Sequence, residues 1–509
     1  MQFLPTLLLC MCSCLAFAQK EANIWYFGQN AGLDFNTNCQ PTALDNSGIE
    51  TQEASAVISN AKTGELLFYS DGFWVWNHEH QLMPNSGDGD PRPGVNREKN
   101  ALSQGALIVP SPTDSAAYYL FTLTEVGVSD ASGIPTGRLT YSLIDMRLDE
   151  GKGDVVLNKK NKLLSDGLVG RLTAIRHTNG SDYWIITHQS DNNVFLVFSL
   201  TKDGVGRADT VRIGSVISET YGFLKASPNG RKLACSSRGV SARPFDLFDF
   251  DPATGSISNH TNLGNLRVAY GVSFSPDNTK LYVSTMNTAA VEANEYYYDY
   301  IRQYDLSLGN ASAITASGKS IIYGNSLTNI KLDEKRYSDF YAPSLQIGPD
   351  GRIYCASNGN SGLCTGCGYR FFVINRPNEL GFACQVEVQT AQLGVGLVAN
   401  ASDLPNFMQH YFNGLEPREC SFDKNDECTD ANVRIFPNPA KDVMEILITD
   451  ICFTPYTLRI VNAAGQILAS YEVNTPRSQQ LHLGSLPGGI YFAELRFADR
   501  TTVKRFVKQ

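Results

Sequence analysis

The chain has 509 residues, 42% of them apolar and 18% charged, which is enough to bury more than one core and too apolar for general disorder. Its formal net charge of −9 comes without a Lys/Arg run of the kind that tracks phosphates, which argues against nucleic acid and an anionic membrane surface as partners. After the N-terminal leader, no stretch approaches the roughly 20 apolar residues of a membrane helix, so no transmembrane segment is expected.

Residues 1–18, "MQFLPTLLLCMCSCLAFA", form a short apolar run ending in Ala16-Phe17-Ala18, a small-x-small site that fits cleavage before Gln19. They read as a signal peptide, although no Lys or Arg follows the amino terminus. A lipid anchor on Cys10, Cys12 or Cys14 is the alternative. The mature protein is expected outside the cytoplasm, where most of the remaining cysteines (Cys39, Cys235, Cys355, Cys364, Cys367, Cys384, Cys420, Cys428 and Cys452) would pair as disulfides. Their odd number leaves at least one over. Cys364-x-x-Cys367 reads as a disulfide rather than a redox motif or half a zinc site, because no second such pair and no β-α-β pattern accompanies it. Cys384 is a candidate partner for one of these two, and Cys420 for Cys428.

Downstream of "NIWYFGQNAGLDF", the chain repeats one plan of turn, half-buried strand and further strand. It is weakly spelled in "ASAVISNAKTGELLFYSDGFWVWNHEHQLM", "GALIVPSPTDSAAYYLFTLTE" with "GRLTYSLIDM", and "LTAIRHTNGSDYWIITHQSDNNVFLVFSLTKDGV". It is clearer in "ASPNGRKLACSS", "FSPDNTKLYVST" and "IGPDGRIYCASN", where Pro-Asp/Asn-Gly/Asn supplies type I turn chemistry and a period-two strand follows. A spacing of about 40 to 60 residues is that of a four-stranded propeller blade with loop insertions. Six units are visible, and a seventh can be closed from both ends by the N-terminal strands and "LPNFMQHYF" from Leu404. The expected fold is all-β, with a seven-bladed β-propeller over 19–412; six or eight blades are the alternatives.

Several stretches invite a site. In "DGFWVWNHEHQLMP", His78 and His80 would point to one face of a strand, the minimum geometry for a metal, yet no third ligand is visible. The blander reading has Trp74 and Trp76 alternating with Phe73 and Val75 in a strand and His80 bonded to a neighbouring turn. His177 and His188 flank "TNGSDYWIIT", whose Asp182-Tyr183-Trp184 core is expected to pack between blades. No Gly-x-Ser-x-Gly elbow and no His-Glu-x-x-His is present, so no catalytic residue is assigned. Calcium is the one cofactor considered, at Asp88-Gly89-Asp90 or in the acidic run Asp423–Glu427, and neither matches an EF-hand loop. Tyr296, Tyr297, Tyr298 and Tyr300, in "AAVEANEYYYDYIRQ", could stack on a sugar or a protein partner or simply cover a blade.

Residues 413–432 are polar, acidic and Cys-containing, and read as a linker. From 433 to 509, short strands separated by Gly and Pro turns spell a small Ig-like β-sandwich. This unit resembles the C-terminal sorting domain of the type IX secretion system (type A). The resemblance rests on Phe436-Pro437-Asn438-Pro439, Gly465-Gln466, Leu486-Pro487-Gly488-Gly489-Ile490-Tyr491 and Lys504-Arg505-Phe506-Val507-Lys508. It implies delivery by that machinery, followed by release or attachment to surface lipopolysaccharide. The region from Ile24 to Phe412 is similar to WD-like propeller proteins carrying the same sorting domain, through "WYFGQNAGLDF", "LLFYSDGFWVWNHEHQLMPN", "SQGALIVPSP", "HTNGSDYWIITH" and "LPNFMQHYF". Their Asp-Gly-x-x-Val-Trp-Asn-x-x-His pattern includes His80 and leaves His78 at a variable place. That resemblance implies no catalytic residues. The expected function is surface-displayed or secreted binding of a protein or glycan; the competing expectation is a hydrolase acting on polysaccharide or peptide with carboxylates in the channel.

Overall fold

A computed structural model describes residues 19–37, 40–51, 53–87, 101–128, 135–238, 243–266, 269–285, 299–323, 344–357, 370–389, 403–418, 433–436, 438–448, 456–473, 478–484, 486–496 and 501–509. The leader, both acidic runs weighed for calcium, Tyr296, Tyr297, Tyr298, Pro437 and six of the nine cysteines lie outside the described residues, as does the side chain of Tyr300. The chain divides into two compact units, Met1–Asn378 with Val386–Pro417, and Glu379–Gln385 with Arg418–Gln509.

The larger unit is a β-propeller of antiparallel sheets taken in chain order. Sheet I holds Ile24–Phe27, Ala31–Asp34 and Thr42–Leu44; sheet II holds Ala56–Ser59, Leu66–Ser70 and Val75–Asn77. Sheets III and IV share the long strand Lys162–Arg176. Its first part pairs with Pro135–Asp145 as the outer strand of III, and its second part pairs with Tyr183–Gln189 as the inner strand of IV. Sheets V, VI and VII open with Leu224–Ala226, Val272–Phe274 and Ser344–Ile347. Counting the shared strand twice gives seven sheets among the described residues.

Successive inner strands pack side by side, and Tyr354 of sheet VII meets Trp25 and Phe35 of sheet I, closing the ring. Neighbouring sheets bury their faces against each other. Between IV and V lie Ile186, Val197, Leu233 and Phe248; between V and VI lie Phe245, Val272, Phe274 and Tyr304. Each such side chain contributes about 1.5–3 kcal/mol by leaving water.

The Ser/Gly-Pro turns join the first and second strands of sheets V to VII. Gly230, Asn278 and Gly351 take φ of 70°, 66° and 77°, the left-handed position that explains Gly or Asn there. Ser227 and Ser275 brace the turn by accepting from the Lys232 and Lys280 amides at 2.9 and 2.8 Å.

Sheet I departs from the plan. The amide of Ile24, at the start of its first strand, donates to Ser59 Oγ at the end of the inner strand of sheet II, so this strand runs against the inner strands elsewhere. The inner place is occupied instead by residues 403–409. Thus the two terminal segments meet, with the Trp25 and Phe407 rings 5.8 Å apart, but "LPNFMQHYF" is no strand: it runs extended and ends in a 3-10 turn at Gln409–Phe412.

The smaller unit is a sandwich of two sheets, one of Val433–Phe436, Val443–Ile448 and Ser478–His482, the other of Tyr456–Asn462, Ile467–Val473, Gly489–Arg496 and Thr501–Lys508. Met444, Ile446, Leu458, Ile460, Leu495 and Phe506 fill it. Several of the quoted sorting residues meet in space. Asn438 donates to the Arg505 carbonyl (3.1 Å) and accepts from the Val507 amide (3.0 Å). Gly489 pairs with Lys508, Lys504 pairs with Ala493, and Lys508 Nζ lies 3.6 Å from Asp442. Tyr491 stacks on Phe506 and donates to the Pro487 carbonyl at 2.8 Å, Leu486 packs on the core, and Gly465 takes φ 81° in a turn. Asn438 and the basic terminal strand therefore form one structural feature.

Candidate functional site

Inner strands II to VII start at one end of the ring, here the entry end, and finish at the exit end. Residues 403–412 fill the axis between them. Leu404 N donates to Ser344 Oγ (3.0 Å) and Asn406 N to the Ser55 carbonyl (2.9 Å). The Asn406 amide group reaches the carbonyls of Ala106 (3.3 Å) and Leu172 (2.9 Å), while Gln409 donates to Gln346 Oε1 (3.3 Å). Gln346 also receives the buried Lys225 ammonium at 2.6 Å. The hydrolase expectation placed carboxylates in a central channel; the chain itself occupies that axis, satisfying inner-strand groups that would otherwise face a void.

At the entry end, Tyr270 donates to Asp403 Oδ1 (2.6 Å) and is 3.0 Å from Ser103 Oγ. The Arg238 guanidinium lies 5.4 Å from the Tyr270 ring centre and 5.6 Å from that of Tyr221. Glu53 completes the group. Its Oε2 and Asp403 Oδ2 are sealed from solvent and have no hydrogen-bond partner. Burial pushes Glu53 up to about 7, against the pull of Arg238. Burial, then the Glu53 charge, holds Asp403 well above the usual carboxylate range. Glu53, Glu125, Tyr221 and Arg238 are half-exposed, so this cluster has an open side.

At the exit end, Tyr118 and Tyr183 stand at the starts of second strands, Arg176 ends the inner strand of sheet IV, and Glu21 accepts the Ser59 amide through its carbonyl. His410 and Tyr411 of the axial segment arrive beneath them. Burial holds His410 down to about 3, so it is a neutral imidazole there.

The residues singled out from sequence fare differently. His80 is structural: its Nε2 meets Asn46 Nδ2 (2.9 Å), its Nδ1 meets the Tyr69 hydroxyl (3.1 Å), and Tyr26 packs edge-on to its ring. A metal would have to displace both partners, and His78 stays exposed. The strand expected from Phe73 begins only at Val75, because the Asp71 carboxylate caps the Phe73 and Trp74 amides at 2.9 and 2.7 Å in a turn. Trp184 packs between sheets IV and V as expected, donating to the Pro252 carbonyl at 3.0 Å. His177 joins it through the Ala253 carbonyl, and His188 is buried against Phe195. Cys235 is a buried free thiol pushed up to about 11 by burial, hence unreactive; Cys355 and Cys384 are also buried.

Glu53, Asp403 and Glu21 escaped sequence reasoning because isolated acids in loops carry no spacing signal. Arg171 and Lys225 did carry one, as cations inside the apolar runs "LVGRLTAI" and "GFLKAS". Both prove fully buried. Arg171 is held by the carbonyls of Ser236 (2.7 Å), Glu219 (2.9 Å) and Tyr221 (3.3 Å).

Residues 434–509 match the family model described as the secretion system C-terminal sorting domain. The smaller unit is thus a type IX sorting domain, which marks the protein for export to the cell surface or the medium. No helix of the described residues is long and apolar enough to cross a membrane. Comparison with curated proteins finds no match. Among solved structures, a 6-phosphogluconolactonase candidate from Bacteroides fragilis aligns over 84% of this chain and 98% of its own at 13% identity and TM-score 0.36. Hydrazine synthase from Kuenenia stuttgartiensis aligns over 81% and 99% (12%, 0.33), and polysaccharide lyase Uly1 over 82% and 94% (10%, 0.37). Likenesses this distant carry nothing about activity.

Proposed function

We propose that the protein is an exported, seven-bladed binding module whose ligand, a protein or a glycan, engages an end of the propeller rather than a channel. The supporting observation is the filled axis: residues 403–412 hydrogen-bond to the groups that a channel ligand would use. That leaves two polar clusters at the ends of a rigid ring as the recognition surfaces. After sorting, the module is released or held on surface lipopolysaccharide.

The second reading, a hydrolase acting on polysaccharide or peptide, is favoured by one observation. Glu53 and Asp403 are adjacent acids of raised proton affinity, the property a general acid needs near neutral pH.

Photo-crosslinking residues placed at Tyr221, Tyr118 and the outer-strand position Val216 of the surface-displayed protein would map contact. Capture at Tyr221 or Tyr118 alone is expected; capture only at Val216 would refute engagement at an end. Substrate cleavage abolished by Glu53→Gln would establish the hydrolase instead.

A further inference from the structure

The motif stretches of the sorting domain have two faces. In "LPGGIY" and "KRFVK", Tyr491 and Phe506 belong to the core, where their rings stack, and Asn438 is spent on clamping the terminal strand. The residues that alternate with Tyr491 and Phe506 point to the other side of the sheet. There Ile490 pairs with Val507 and Phe492 with Arg505 across the last two strands. Phe492 also pairs with Val461, and Val461 with Ile467. Paired residues of antiparallel strands share a face, so Ile467, Val461, Phe492 and Arg505 form one row across all four strands, with Ile490 and Val507 beside it.

This is the solvent side of the sheet, where sandwich strands ordinarily place polar residues. Instead Ile467 and Ile490 are 54% and 47% exposed, and Val503, two residues before Arg505 on the same face, is 54% exposed. The far half of the face is polar, and there Glu494 is matched by Arg496 at 2.9 Å and by Arg459 at 3.9 Å. Arg505 stands exposed at the end of the apolar row. The sandwich from 433 to 509 carries nine Lys and Arg against six Asp and Glu, in a chain whose formal net charge is −9. An apolar protein surface with an acidic rim complements such a face in both hydrophobicity and charge. A second copy would set the same basic face against itself, and like charges across an interface are costly. A lipid surface fits less well, because the sandwich has no tryptophan to seat at a membrane interface.

We infer that this outer face, centred on Ile490, Val507, Phe492 and Arg505, is the surface by which the type IX export machinery reads the folded sorting domain, through an apolar partner surface rimmed with acidic residues. The sorting role is the premise; the inference adds which surface is read and the chemistry that reads it, and it is independent of what the propeller binds. The motif stretches thus serve twice. One set of alternate residues builds the sandwich, and the other set meets on its outside as the reading surface.

The test compares surface display of the full chain, by protease accessibility on intact cells that carry the machinery, with that of the double variant Ile490→Thr, Val507→Thr and of Arg505→Glu. Threonine keeps the β-branched shape that strands favour, and hydrogen exchange at the Tyr491 and Phe506 amides checks that the sandwich stays folded. Display is expected to fall about tenfold in each variant, with the chain held in the periplasm and exchange unchanged. Glu472→Lys, at the polar corner of the same face, is expected to display normally. If the double variant exchanges fast, Arg505→Glu, which changes charge alone, decides. Normal display of the folded variants would overturn the reading surface and leave the sorting role standing, since deletion of residues 433–509 tests that role separately. Dimerisation of the purified full chain, or its flotation with anionic phospholipid vesicles, that the substitutions abolish while display persists would also overturn it, assigning the face to a second copy or to lipid.

Discussion

Asp403 and Glu53 show how single residues couple the axial segment to the ring. Asp403 begins that segment, and its carboxyl faces Glu53, Arg238 and Tyr270, with Lys225 deeper on the axis. Both acids bind protons more tightly folded than unfolded. Their contribution is therefore fully present below the ordinary carboxylate range and is lost as pH rises through about 7, where Glu53 ionises against its neighbour. Asp403→Asn keeps the acceptor for Tyr270 and offers Glu53 a donor. Its unfolding temperature, followed by tryptophan fluorescence, should rise relative to the parent chain as pH goes from 5 to 8, by a few degrees at the upper end. A difference that stays constant with pH would mean that Asp403 only fills space. His80 teaches the converse lesson: its place in "NHEH" suggested chemistry, whereas its two ring nitrogens are spent on Asn46 and Tyr69. Sequence revealed the residue but not the partners, which come from 34 and 11 positions away.

At the scale of elements, the strands and their turns were legible because period-two burial and Pro-Asn-Gly chemistry are local properties. The axial segment was not. "LPNFMQHYF" has a strand-like alternation, and what decides its conformation is a set of carbonyls and amides on inner strands hundreds of residues earlier, such as Ala106 and Leu172 for Asn406. The shared strand Lys162–Arg176 was hidden for the same reason, since nothing local marks where one partner gives way to the next. In the sorting domain, the separation of Pro-Asn-Pro from the basic terminus in sequence concealed one element, the clamp of Asn438 on the last strand. Asn438→Ala removes two backbone contacts and should destabilise the domain by about 1–2 kcal/mol, with faster hydrogen exchange at the Val507 amide. Unchanged exchange there would show that the strand is held by its ladder alone.

For the whole molecule, division of labour follows from the two units: the sandwich carries the address, and in the function proposed above the propeller carries recognition. Removing residues 433–509 should leave the propeller folded but stranded in the periplasm, detected by protease accessibility on intact cells; normal surface display would contradict the sorting role. All four tryptophans, Trp25, Trp74, Trp76 and Trp184, belong to the propeller, so their fluorescence reports on that unit in the full chain. The central claim is that the propeller is closed along its axis by its own residues 403–412. The most direct measurement compares the tryptophan-monitored unfolding of chains ending at Pro417 and at residue 402. The chain ending at Pro417 should unfold cooperatively at the temperature of the full protein, and the shorter one should lose that transition; equal unfolding of the two would contradict the claim.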